Sequence, residues 1–504
     1  MSKKLFDLIH SLNKNEKGYF LKNSIKSKKT KNYLIVYKAY RDAKTYNEAI
    51  IQKQIKNINL LKQLPVVKNY IYNAILNSLS IYYSKKNPEF QIFDLIKHFK
   101  ILMLKGLDKE AIKHLDKAKK ISTDLGYPKL ALYIFKLRTQ LNFRTDKGQT
   151  LKYRMKSDQD YANQIDSIYK INKYRILYRE VYASHRKILI KREGEEFEKM
   201  NTLIKSQLLS ISDSKLSLIE KYWKYNILSI YYKSLGNLNK SLYYRKMQVN
   251  IFSILPEKIR KKNIYYYNSL FDLINRLVEL EMPKELEKNL SLIKQISAHF
   301  PFQSKATTLQ LINIELMYRI KTFNKEKCEK IISLLEQTDK KNFGDYRYFT
   351  ILLIYSNSAY YFFTTNNYPR ALNFINKILN YKEPDLYFDI YLYIQILQIL
   401  IYFDLLQYLF VESLTKSLIT KLHLKKLTKR YSFEYCIIHF FLVATKEKFI
   451  TTRAHKNILK GLEVEIKNYL TTNNPPQLLN FVDVKLWIKS KLENKTMEEE
   501  LKNQ

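Results

Sequence analysis

Apolar residues recur at spacings of three and four along most of this 504-residue chain, the period of a helix that buries one stripe and wets the other. Within 351–379, Tyr355, Ala359 and Phe362 line a first helix, Asn366, Asn367, Tyr368 and Pro369 form a turn, and Ala371, Phe374, Ile375 and Ile378 line a second. Pro369 falls in the first turn of that second helix, where its missing N–H has no bond to lose. A second hairpin is predicted over 92–121, with Gly106 closing its first helix in the left-handed conformation and Ala111, Leu115 and Ala118 facing inward. A third is predicted over 225–251, carried by Tyr232, Gly236, Ser241, Tyr244 and Met247. Weaker versions of the pattern occur at 281–296 and 325–335, and amphipathic stretches at 161–190, 203–235 and 309–320 extend it.

Only 8 glycines and 10 prolines punctuate the chain. A large α/β enzyme uses many such residues in strand-to-helix turns and phosphate-binding loops, whereas stacked antiparallel helices need few. The three hairpins resemble the tetratricopeptide repeat family. The tryptophan and the Leu-Gly pair of that family's first helix are missing from all three. The resemblance implies an all-α fold, an α-α superhelix of roughly twenty or more helices, with an extended concave face that binds other macromolecules.

The chain divides into a basic amino-terminal helical module at 1–86, a tetratricopeptide-like array at 87–470, and a terminal helix with a flexible tail at 471–504. In the module, short helices at 5–12 and 16–21 flank a turn at 13–15. A lysine-rich loop (Lys22, Lys26, Lys28, Lys29, Lys31) and helices at 33–41 and 47–56 follow. The strongest helix starts at Pro65 and carries Val67, Ile71, Ala74, Ile75 and Leu79 towards Tyr83. As a whole the chain is similar to a set of bacterial helical-repeat proteins that begin with such a segment and have no established activity. Towards the other end, Pro475 and Pro476 mark a break, a last helix is expected over 477–492, and 494–504 reads as a frayed tail.

Hydrophobic residues make up 46% and charged residues 27%, enough apolar material to exclude global disorder. The net charge of +41 is uneven: residues 1–250 hold 51 basic and 21 acidic side chains, residues 251–504 hold 37 and 26. Such a field attracts nucleic acid, anionic membrane or acidic proteins. A solvated surface shaped by AT-rich codon usage accounts for the same excess, and lysine predominates over the arginine that specific base contacts favour. Two cysteines, Cys328 and Cys436, cannot form a disulfide framework. The first ten residues lack the apolar core and cleavage site of a secretory leader. The longest apolar run, 390–403, is too short to span a bilayer. The expectation is a cytoplasmic protein with no membrane span.

The segment 66–76 resembles the recognition helix of bacterial response-regulator helix-turn-helix domains, in which Val-Lys-Asn-His precedes an apolar stripe; here Tyr70 follows Val67, Lys68 and Asn69. The resemblance implies that Lys68, Asn69, Tyr72, Asn73 and Asn77 face a major groove, with Lys53, Lys56 and Lys62 on the backbone. A long insertion separates the segment from a first helix of that motif, and a capping module for the array explains the same residues. The 42 tyrosines suit binding surfaces and equally suit packing between helices. Cys436 and His439 share a helix face, but a structural zinc site takes four ligands and no second pair lies near. Asp158 and Asp160 lack the glycine and glutamate of a calcium loop. Glu193, Glu195, Glu196 and Glu198 read as a solvated face. No phosphate loop, dinucleotide fingerprint or nucleophile elbow occurs, so no catalytic residue, metal or cofactor is assigned. The chain is expected to be a non-catalytic scaffold that binds a protein or peptide segment, acidic in character. The alternative is a nucleic-acid-binding regulator that uses the amino-terminal module.

Overall fold

Six helices open the chain: α1 (Ser2–Ser11), α2 (Lys14–Ser24), α3 (Thr30–Asp42), α4 (Glu48–Lys53), α5 (Ile58–Lys62) and α6 (Leu64–Ser84). The computed structural model describes residues 2–24, 30–144, 151–191, 194–297, 299–300, 304–337, 348–380, 387–445, 452–472, 478 and 482–502. Among them all regular structure is helical. The opening helices wrap one core of Leu5, Ile9, Phe20, Tyr37, Tyr40, Ile51, Val67 and Ile75. Their starts are fixed locally. Asn13 and Glu16 exchange reciprocal backbone bonds of 2.8 and 3.0 Å at the head of α2, a capping box that satisfies two orphan donors at once. Asn47 and Asn57 cap α4 and α5 in the same spirit.

Four long helices follow, α7 (Pro88–Leu104), α8 (Asp108–Asp124), α9 (Pro128–Arg144) and α10 (Leu151–Lys191), then the short α11 (Gly194–Ile204) and α12 (Gln207–Ser210). The apolar stretch expected over 203–235 is therefore not one helix. It breaks before Ser217, whose side chain and backbone pair with Glu220 to start the next helix. From there the chain runs α13 (Leu218–Ser234), α14 (Leu238–Asn250), α15 (Glu257–Arg260), α16 (Ile264–Glu279), α17 (Pro283–Ser297), α18 (Ser304–Lys321), α19 (Lys325–Gln337), α20 (Tyr348–Thr364), α21 (Tyr368–Leu379), α22 (Phe388–Asp404) and α23 (Tyr408–Leu424). Each of these hairpins packs on the next: α14 against α16, α16 against α18, α18 against α20, and α20 and α21 against α22.

One turn geometry joins the hairpins. In each, the second residue after the first helix is left-handed, and its successor's N–H reaches back to the carbonyl five residues earlier, as Leu107 does to Leu102 and Gln407 to Tyr402. This is the bond pattern that satisfies a helix's last carbonyls. Glycine fills the left-handed position at Gly106 and Gly236, but Glu281, Phe323, Asn366 and Leu406 fill it elsewhere. These positions recur every 40 to 45 residues from Gly236 to Leu406. A side chain there costs about 1–2 kcal/mol. Leu406 is 62% exposed and gives up little burial if removed. Leu406→Gly should therefore raise local stability by about 0.5–1 kcal/mol after its own unfolded-state entropy is counted. Slower amide exchange in α22 and α23 would report this gain; unchanged or faster exchange would show that the leucine contacts outweigh the strain.

Ion pairs clip neighbouring hairpins together: Lys233–Glu279 at 2.6 Å, Lys246–Glu285 at 2.8 Å, Lys321–Glu281 at 2.7 Å and Arg370–Glu329 at 2.9 Å. Partly exposed pairs of this kind add little stability.

The chain ends with α24 (Ser432–Ala444), α25 (Thr452–Thr472), α26 (Val484–Leu492) and α27 (Met497–Lys502). Pro475 and Pro476 lie outside the described residues. The tail expected to fray is in part ordered: α27 packs on α26, and buried Glu500 pairs with Lys489 at 2.6 Å and Lys495 at 3.1 Å. Trp487 of α26 is fully buried against Phe403 and Phe441. Its indole N–H donates to Asp404 at 3.1 Å, and the same carboxylate takes Tyr368 at 2.7 Å and Lys491 at 3.0 Å. Among the described residues no helix is long and apolar enough to cross a membrane.

Candidate functional site

Helix α6 follows Gln63, carries proline in its first turn and buries Val67, Lys68, Ile71, Ile75 and Ser78 as one stripe. The position of Lys68 in that stripe contradicts its expected role at a DNA groove. Its ammonium lies 2.7 Å from a Glu48 carboxylate oxygen and 2.6 Å from the Ser2 hydroxyl, and the residue is 6% exposed. Burial pushes the Glu48 carboxyl up, but hydrogen bonds from Lys68, Tyr40 and Tyr46 outweigh it and hold the group at about 2. Lys68 is a structural cation. Asn69, Asn73 and Asn77 do share the exposed face, with Asn73 donating to Asn69 at 3.3 Å, and Tyr72 is half-buried. Lys62, at the end of α5, is exposed, as are Lys53 and Lys56. Val66, Tyr70 and Leu76 complete the outer face of α6, which over 21 residues carries no charge except the buried Lys68.

The other two-residue candidates resolve into ordinary packing. The Cys436 thiol points at Glu465, 3.3 Å away, and burial and that carboxylate push it up to about 12, far from the thiolate a metal requires. His439 stacks on Tyr435. Asp158 and Asp160 are exposed on α10, and Glu196 pairs with Lys187 at 2.7 Å; Glu193 lies outside the described residues. Among the described residues no group of three metal-ligating side chains comes together.

Two features of the array were not singled out from the sequence. The first is a buried polar network where α10, α13, α14 and α16 meet. Arg245 donates to Asn226 at 2.8 Å, Gln248 at 2.9 Å and Asp272 at 3.1 Å, and Arg276 pairs with Glu279. His185, bonded to Ser234 at 2.8 Å, is pushed down to about 4 by burial and by the cations Lys233 and Arg276. It is a neutral imidazole at physiological pH. The Nε of Arg245, the Nε of Arg276 and the indole N–H of Trp223 have no acceptor among the described residues. The available signal was Arg276, a charged residue among the apolar positions that α16 buries.

The second is a half-open cavity of about 540 Å³ between 204–213 and the α13–α14 hairpin. Tyr225, Tyr243, Tyr244, Met247 and Leu209 form its walls, and Lys205 stands at the rim. Its polar floor is locked: Lys224 reaches the Ile211 carbonyl at 2.7 Å and Asp213 at 2.9 Å, and Tyr225 donates to the same carboxylate. The volume suits one or two side chains, and the lining offers aromatic faces with one uncommitted cation. No family model matches this chain, and neither the curated proteins nor the solved structures supply a match.

Proposed function

We propose that the protein is a non-catalytic scaffold of tetratricopeptide-like architecture, acting in the cytoplasm, which holds an extended segment of an acidic partner protein on its stacked hairpins. The turn period of 40 to 45 residues is longer than the 34 of that repeat, so the likeness lies in the stacking of hairpins rather than in repeat length. The observation that carries the reading is the tyrosine-walled cavity on α13–α14. Its aromatic walls favour an apolar or aromatic anchor, and Lys205 favours a carboxylate beside it.

Tyr243 is 56% exposed, so its removal tests binding without disturbing the core. A tagged chain should recover a stoichiometric protein from native lysate with nuclease present. The Tyr243→Ala/Lys205→Glu variant should recover about tenfold less, the loss of one anchoring contact. Equal recovery by the variant, or loss of every partner on nuclease treatment, overturns the assignment.

A further inference from the structure

Gly18 is the one glycine in the amino-terminal module, and nothing in the fold explains it. Elsewhere Gly106, Gly126 and Gly236 hold left-handed turns, Gly461 lies beneath the Phe440 ring, and Gly194 opens α11. Gly18 sits mid-helix in α2, on its exposed face, with open space where a side chain would stand. A glycine there weakens the helix by about 0.5–1 kcal/mol relative to alanine. Lys14 and Lys22 lie one helical turn to either side of it, on the same face, and both are exposed. The bare backbone is thus a gap between two ammonium groups.

This face continues onto the carboxyl end of α6. Tyr19 of α2 meets Tyr82 of α6 with ring centroids 5.2 Å apart. The Lys86 ammonium lies 4.0 Å over the Tyr82 ring, beside exposed Lys85. Among the described residues none of Lys14, Lys22, Lys85 and Lys86 has an ion pair. Three of the module's four acids are committed elsewhere: Glu16 caps α2 and accepts from Tyr83, Glu48 holds Lys68, and Asp42 holds Arg41; the fourth, Asp7, is exposed on α1. The unbalanced charge therefore faces solvent.

We propose that this α2–α6 face grips the sugar-phosphate backbone of single-stranded nucleic acid without reading its sequence. The phosphates of such a polymer belong to its own main chain, so sugars and bases must come close for the charges to meet, and a helix stripped of a side chain admits them. Carboxylates of an acidic protein sit at the tips of flexible side chains and need no cleared backbone. A bilayer would need several exposed apolar side chains to enter it; none of the exposed large hydrophobic residues lies on α2, and at the carboxyl end of α6 beside Tyr82 there is Ile81 alone. Lysines supply point charges rather than the planar fork that recognises a base, and the tyrosine pair offers a sequence-neutral stacking edge. This surface is separate from the α13–α14 cavity, and either assignment can fail without the other.

The test uses the full chain and a labelled 20-nucleotide oligothymidylate, with anisotropy read across a salt series. Four lysine contacts predict a log–log slope of about −3. Gly18→Gln leaves the net charge unchanged and should not lower the melting temperature, yet should weaken binding about tenfold, as loss of one stacked or closely held nucleotide does. Lys14→Gln/Lys22→Gln/Lys86→Gln should flatten the slope by about 2, and arginine at the same positions should restore it. Lys109→Gln/Lys113→Gln/Lys117→Gln on α8 removes equal charge and should change affinity less than about twofold. Equal losses from the two triple variants, unchanged binding by Gly18→Gln, or displacement of the strand by oligoglutamate of matched charge would each overturn the proposal.

Discussion

Replacing Lys68 with alanine is expected to destabilise the amino-terminal bundle by about 2–4 kcal/mol, because it strands a partly buried carboxylate that the fold has desolvated. The sign with pH follows from Glu48. Its folded carboxyl titrates at about 2, below the ordinary 4.5, so its contribution is present above pH 4.5 and is lost as pH falls towards 2. In Lys68→Ala that acid-dependent loss should shrink, because the unpaired carboxyl titrates nearer its ordinary range. Lys68→Met/Glu48→Gln, which removes both charges, should recover much of the stability. Acid and thermal melts of the full chain followed by tyrosine fluorescence separate these cases. If Lys68→Ala melts like the parent at neutral pH, the ammonium is free in solution and its groove-reading role returns.

Trp487→Ala should cost about 3–5 kcal/mol locally, the range for emptying a large buried side chain. The loss concerns the docking of α26 more than the whole chain, since stacked hairpins need not melt as one unit. The expected readout is loss of amide protection over 484–502 and faster proteolysis there, while α13 to α18 keep theirs. Asp404 retains Tyr368 and Lys491 when the indole goes, so no charge is left stranded and the effect reads as packing. Uniform loss of protection along the chain would show instead that the terminal helices hold the entire stack together.

What was legible in the chain follows physical range. Pro369 in the first turn of α21 and Gly106 in a left-handed turn are local decisions, and both sit where the spacing placed them. The hairpins over 92–121, 225–251 and 351–379 correspond to α7–α8, α13–α14 and α20–α21, because an apolar stripe three and four residues apart needs no distant partner to be read. Lys68 was misjudged for the opposite reason. Its partners are 20 and 66 residues away, and a lysine beside an asparagine on a helix looks solvent-facing until those partners are in place. Phe323 and Leu406 show a second limit: backbone hydrogen bonds and packing hold them left-handed, and neither residue type announces such a turn. The cavity walls come from 204–213, α13 and α14 together, so no single stretch of sequence displays them.

The stacking from α13 to α23, where hairpins pack on their neighbours and partly exposed ion pairs link them, predicts a spring-like response to load. Under tension the interfaces are expected to yield one by one, and a hairpin of about 43 residues that unravels completely has an extended length of about 150 Å. A load between the two ends would be met by graded lengthening rather than abrupt rupture.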